Sequence, residues 1–150
     1  HLSAADGLAR LSEYTRQYDI SVIVENHVGW SSHGAWLAGV MKFADSKWVG
    51  TLPDFGNFTY GDGAKYDPYL GVEELMPYAH GVSAKSFGFD RNGNESRFDY
   101  ERMLRIVLDA GFRGYIGVEY EGNQVSEVEG IRKTKALLER LRTELAPEYS

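Results

Sequence analysis

Two hydrophobic periodicities alternate along the chain. Leu8, Leu11, Tyr14 and Tyr18 recur at three- and four-residue steps between Ala4 and Tyr18, which predicts an amphipathic helix. Ser3 is its candidate N-cap, with Asp6 in a capping-box-like position. Ile20 to Val24 is a short β-branched run that reads as a buried strand. It ends in Glu25-Asn26-His27 and a turn-rich stretch to Ser32. The alternation then repeats. Ala35 to Asp45 is helical, with Trp36, Leu37, Val40 and Met41 on one side, and Trp48 to Leu52 is a strand that runs into Pro53-Asp54-Phe55-Gly56-Asn57. A polar, aromatic loop from Phe58 to Leu70 precedes a short helix over Val72 to Tyr78. Gly81 to Ala84 is a weaker strand leading into Lys85-Ser86, and the next loop, Phe87 to Arg97, carries the turn signal Asp90-Arg91-Asn92-Gly93. Tyr100 to Ala110 is a helix that stops at Gly111. Tyr115 to Val118 is a strand running into Glu119-Tyr120-Glu121-Gly122, and Ser126 to Leu145 is a long helix with Ile131, Leu137, Leu138 and Leu141 as its stripe.

Strands that alternate with helices specify an α/β protein with a parallel sheet covered by helices. No composition shift, linker or low-complexity run divides the 150 residues, so residues 1–150 read as a single domain.

Composition narrows the function classes. Hydrophobic residues make up 43% and charged residues 25%, as in ordinary globular domains. The net charge of −6 argues against a nucleic-acid binder, which needs clustered Lys and Arg. Cysteine is absent, which removes disulfides, thiolate catalysis and Cys-ligated metals and fits a reducing, cytoplasmic setting. No segment has the ~20 apolar residues that cross a bilayer, so no membrane partner is expected. P-loop, Gly-x-Ser-x-Gly and Gly-x-Gly-x-x-Gly motifs are all missing.

In parallel α/β folds the chemistry lies beyond the carboxyl ends of the strands. Each of the four strand ends here carries ionisable or polar groups: Glu25 and His27, Asp54 and Asn57, Ser83 and Lys85, Glu119 and Glu121. Residues two apart on a strand face the same side, so each pair but the second shares a face. Converging carboxylates repel unless a cation neutralises them. Oxygen ligands suit Mg²⁺ or Mn²⁺, and an imidazole would widen the choice to Zn²⁺ or Co²⁺. The bland alternative for each group is a helix cap or an ion pair with a neighbouring Lys. His27 is a candidate ligand or substrate contact. His80 is expected at the opposite rim or in solvent, and His1 and His33 are expected to be exposed. Lys85 either holds a substrate oxygen or phosphate or pairs with Glu119 or Asp54. Phe55, Phe58, Tyr60, Tyr66 and Tyr69 form either a sugar-stacking wall or a satellite hydrophobic cluster.

The strings Val24-Glu25-Asn26-His27, Pro53-Asp54-Phe55-Gly56-Asn57, Gly81-Val82-Ser83-Ala84-Lys85-Ser86 and Gly117-Val118-Glu119-Tyr120-Glu121-Gly122 resemble the second half of xylose isomerase-like TIM barrels. The resemblance runs from about Leu8 to Leu141 and implies strands five to eight of a (β/α)8 barrel. It implies a divalent metal, Mn²⁺ or Mg²⁺ ahead of Zn²⁺ or Co²⁺, held by Glu25, Asp54 and Glu119. The family's usual His positions hold Ser83 and Asn57 here, so His27 or a water takes their place, or the site binds metal weakly or not at all. The implied reaction is isomerisation or epimerisation of a sugar or sugar derivative by proton transfer next to a carbonyl, with Glu25 and Glu119 as catalytic acid and base. His27, Asn57, Ser83, Lys85 and Glu121 are the implied substrate contacts.

Two rival functions use the same scaffold. A non-catalytic carbohydrate-binding or interaction protein is consistent with the missing His ligands. An endonuclease IV-type phosphodiesterase would need a basic rim and several His ligands, which the acidic balance and Ser83 disfavour. A full barrel takes ~250 residues and eight strands. Four strands without an initiator Met are therefore expected to be a piece lacking the N-terminal half, with two open sheet edges that drive self-association and with little turnover of its own.

Overall fold

The computed structural model describes residues His1 to Tyr149. The helices are α1 (Leu2–Thr15), α2 (Gly34–Ala44), α3 (Pro68–Leu75), α4 (Tyr100–Asp109) and α5 (Glu127–Tyr149). The strands are β1 (Val22–Glu25), β2 (Val49–Leu52), the short β3 (Thr59–Tyr60) and β4 (Ala64–Lys65), β5 (Val82–Ser86) and β6 (Ile116–Tyr120).

The strand signals become a parallel arc. β1 pairs with β2, Glu25 opposite Leu52, and β5 pairs with β6, Lys85 opposite Glu119. The chain beyond β2 joins the two pairs: His80 N donates to Thr51 O (3.0 Å), Ser83 N to Pro53 O (2.9 Å) and Phe55 N to Ser83 O (3.1 Å). The order is β1-β2-β5-β6, each strand reaching the next through at least one helix, as parallel pairing requires.

One set of alternating residues faces the helices. Val49 packs with Leu37, Val40, Met41 and Leu75, and Val82 and Ala84 pack with Met103, Val107, Leu137 and Leu141. Polar ties fix the helices on β5. Tyr100 Oη donates to Lys85 O (2.7 Å), and the Ser86 and Thr134 hydroxyls bond at 2.6 Å. Gly130 is required on α5 because a Cβ there would collide with the Tyr120 ring. Gly111 ends α4 at φ +78°, a left-handed conformation that favours glycine.

Several sequence expectations shift. α1 starts at Leu2 with no side-chain cap, so Ser3 is not its N-cap. It buries Ala5 and Ser12, whereas Leu11, Tyr14 and Tyr18 of the expected stripe are exposed. Helix α3 begins inside the expected loop, because Asp67 caps it at Tyr69 N (2.8 Å) and Pro68 occupies its first turn. His33 is half-buried, caps α2 at Trp36 N (3.3 Å) and lies against Tyr60 and Tyr66. Phe55 and Phe58 belong to the core, and Tyr66 Oη bonds Glu74 (2.8 Å), which favours the packing reading of that aromatic run.

Ile20 and Ile23 are exposed on and beside the β1 edge, and Tyr115 is 94% exposed before β6. Burying such surface is worth ~25 cal/mol per Å². The isolated 150-residue chain is therefore expected to self-associate at micromolar concentration. Sedimentation that finds only monomer would contradict this. Among the described residues, no helix is long and apolar enough to cross a membrane.

Candidate metal centre

Glu25 ends β1, Asp54 lies two residues past β2, and Glu119 sits inside β6. The parallel register brings these three strand ends to one end of the arc. One carboxylate oxygen of each lies within 4.8 Å of the others.

Asp54 is fully buried. Its Oδ1 accepts from Gly56 N (2.9 Å) and Asn57 N (3.0 Å), whereas Oδ2 has no partner. Burial pushes its carboxyl up to about 6, against the pull of the nearby Ser83 hydroxyl, which donates to Glu119 rather than to Oδ2, of the Gly56 N–H and of the Lys85 charge. Asn26, also fully buried, locks this position. Its Nδ2 donates to Asp54 O (3.0 Å) and Asn57 O (3.2 Å), and its Oδ1 accepts from Asp54 N (2.7 Å).

Asn57, Ser83 and Lys85, implied by the resemblance as substrate contacts, bond the carboxylates themselves. Asn57 Nδ2 donates to Glu25 Oε1 (3.1 Å), and Ser83 Oγ donates to Glu119 Oε2 (3.1 Å). Lys85 is buried, and its ammonium reaches Asn57 Oδ1 (3.1 Å), Glu119 Oε1 (3.0 Å) and Glu121 Oε2 (2.7 Å). Burial alone would lower its pKa, but the bonds to Glu121 and Glu119 and the charge of Asp54 outweigh that and raise it. The same bond from Lys85 lowers the Glu121 carboxyl. Three partners account for all three ammonium donors, so Lys85 meets a substrate only by releasing one of them. His27 is exposed, and its backbone N–H donates to Ser31 Oγ (3.0 Å).

Two residues escaped the sequence reading. Asn26 stands in the sequence only as the residue between Glu25 and His27. Glu95, 7% exposed, accepts from Phe87 N (3.1 Å), Gly88 N (3.4 Å), Arg97 N (2.5 Å) and Phe98 N (2.9 Å) and so shapes the loop after β5. Nothing local in the sequence distinguishes Glu95 from a solvated carboxylate.

The donor set fits a hard divalent cation. It offers carboxylate oxygens from three strands, and one of them, Asp54 Oδ2, is buried with no protein donor. Protons compete with a cation for Asp54. Binding is therefore expected to weaken as pH falls through about 6, approaching tenfold per unit below it. Calorimetric titration with Mn²⁺ between pH 5 and 8 measures this, and a flat profile would contradict it.

Comparison with known proteins agrees with this architecture. One relative is a C-glycoside deglycosidase alpha subunit of Arthrobacter globiformis, 32% identical over 73 residues that cover 45% of this chain and 21% of that protein. Another is a 3'-dehydrocarminate deglycosidase alpha subunit of Microbacterium sp, 42% identical over 48 residues that cover 32% of this chain and 14% of that protein. A crystal structure of a xylose isomerase-like TIM barrel protein from Mycobacterium smegmatis in complex with magnesium superposes with a TM-score of 0.71 at 19% identity, covering 94% of this chain. The chain spans 50% of that structure's length. A family model described as xylose isomerase-like TIM barrel matches residues 3–143. The chain belongs to the xylose isomerase-like TIM barrel family.

Proposed function

We propose that this chain is the C-terminal half of a barrel enzyme that acts on a sugar or sugar derivative. The reaction is a divalent-metal-assisted isomerisation or epimerisation by proton transfer next to a carbonyl. The observation that carries this reading is the unpartnered, buried Asp54 Oδ2 within the carboxylate cluster. Glu25, Asp54 and Glu119 would hold the cation, Mg²⁺ or Mn²⁺ ahead of Zn²⁺ or Co²⁺ because all three donors are oxygen. When bound, the cation supplies a Lewis acid for the substrate's carbonyl and neighbouring hydroxyl.

Glu25 and Glu119 come from the first and last strands of the arc, and their carboxylates meet at its end. One takes the proton beside the carbonyl and the other returns a proton to the adjoining atom or the opposite face. Asn57 orients Glu25, and Ser83 and Lys85 orient Glu119. His27 and Glu121, both exposed at the same end, are the residues freest to meet substrate hydroxyls. The absence of cysteine supports a cytoplasmic setting.

The deglycosidase relatives favour a second reading of the same first step. A dehydro sugar carries a carbonyl in place of a hydroxyl. Removing the proton beside it lets the electron pair form a C=C bond and expel the group on the next carbon, which departs and takes up a proton. The first reading conserves the sugar's atoms, and the second releases an aglycone.

Incubation of the full-length protein with Mn²⁺ and a sugar panel in D₂O separates them. Deuterium at the carbon next to the carbonyl, without bond cleavage, supports isomerisation or epimerisation. Aglycone release from a keto-glycoside supports elimination. Sugar binding without either result supports the non-catalytic alternative and contradicts both.

A further inference from the structure

The structure assigns Lys85 a role in setting the affinity of the cluster for a divalent cation: it is a resident counter-ion that shares Glu119 with the ion. This rests on the metal-site reading above. That site has support beyond the acidic cluster itself, because Asp54 is fully buried and its Oδ2 has no partner.

β5 places Ser83 and Lys85 on one face, opposite the face that carries Val82 and Ala84 into the core. Ser83 Oγ reaches Glu119 Oε2 (3.1 Å) and Lys85 Nζ reaches Glu119 Oε1 (3.0 Å). Both oxygens of Glu119 therefore carry donors from β5. Lys85 is 1% exposed, so its ammonium is fixed beside Glu119 and does not swing into solvent. Its remaining donors go to Asn57 Oδ1 (3.1 Å) and Glu121 Oε2 (2.7 Å), and Asn57 in turn donates to Glu25 Oε1 (3.1 Å). One ammonium thus links both outer carboxylates of the cluster, Glu119 directly and Glu25 through Asn57.

Two consequences follow. The carboxylates are held in place before any ion arrives, because Lys85 offsets part of their mutual repulsion. A divalent ion must then share Glu119 with a fixed positive charge, which weakens its binding. Glu121 moderates this repulsion by holding Lys85 from its other side.

Calorimetric titration with Mn²⁺ alone, on the full-length protein, tests the assignment. Lys85→Met keeps the stem and removes the charge. It is expected to bind Mn²⁺ at least tenfold more tightly than the unaltered protein and to show a larger Mn²⁺-induced rise in melting temperature. Glu121→Gln is expected to weaken binding severalfold in the unaltered protein but not in Lys85→Met. Equal or weaker binding by Lys85→Met overturns the assignment and leaves the metal site standing, whereas no binding by the unaltered protein overturns the metal site itself. Should Lys85→Met fail to fold, Glu121→Gln is compared with Glu127→Gln, an exposed carboxylate at the start of α5. Weaker binding in the first alone supports the assignment, and equal effects overturn it.

Discussion

Glu119→Gln is expected to reduce turnover of the full-length enzyme by roughly 10³-fold or more while leaving the melting temperature within a few degrees. The substitution is nearly isosteric. Gln keeps an acceptor for Lys85 at the Oε1 position and places an amide beside the Ser83 hydroxyl, which can accept from it. The fold therefore loses little. The cluster loses a negative ligand and the carboxylate that exchanges the proton, so cation affinity and catalysis fall together. Steady-state kinetics with thermal melts decide the matter. A large loss of stability with activity retained would make Glu119 a structural residue.

Asp54→Asn is expected to move cation binding and stability in opposite directions. A carboxylic acid that titrates at about 6 when folded, against 3.8 as a free side chain, contributes stability that is fully present below its unfolded value. That contribution is lost as pH rises through about 6, and ionised Asp54 then costs the ion-free protein about 2–3 kcal/mol. Asn removes the buried charge, keeps Oδ1 for Gly56 and Asn57, and turns an amide toward the neighbouring carboxylates. The ion-free variant is therefore expected to melt roughly 4–8 °C higher at pH 7.5 and to show no gain at pH 4. Its Mn²⁺ affinity is expected to fall by about 10² or more, since one of three carboxylate ligands is gone. Scanning calorimetry at both pH values, with and without Mn²⁺, measures both effects. A variant that melts lower at pH 7.5 and binds Mn²⁺ unchanged would contradict both halves.

The alternation of apolar runs and amphipathic stretches made the parallel strand-helix order legible, because period-two and period-3.6 patterns need no knowledge of partners. The strand ends were less legible. β5 was expected to stop at Ala84, yet it continues through Lys85 and Ser86, since Lys85 finds Glu119 and Glu121 on β6 and Ser86 finds Thr134 on α5. A lysine reads as a strand terminator until its distant carboxylates are in place. The first helix shows the converse limit. Its stripe of Leu11, Tyr14 and Tyr18 announced a helix, but the buried side is the one bearing Ala5 and Ser12. The start of α3 was available locally, because Asp67-Pro68 is a cap followed by a first-turn proline, and the surrounding polar and aromatic residues obscured it.

At the candidate site, the repeated placement of Glu25, Asp54 and Glu119 after strands was enough to group them, and one oxygen of each lies within 4.8 Å of the others. Asn26 had no such signal, because its importance lies in bonds to the backbone of Asp54 and Asn57, twenty-eight and thirty-one positions away. Burial also separates neighbours that look alike in sequence: Asn26 is enclosed, while His27, the more conspicuous side chain, is exposed.

In the proposed site, Glu25, Asp54 and Glu119 hold one divalent cation at the ends of their strands. Crystals of the full-length protein soaked in Mn²⁺ test it directly through the ion's anomalous scattering. A single strong peak is expected at about 2.0–2.3 Å from an oxygen of each carboxylate, with Asp54 contributing Oδ2 and Lys85 still bound to Glu119 or Glu121. No peak among these three residues, or a peak on other side chains only, would contradict it.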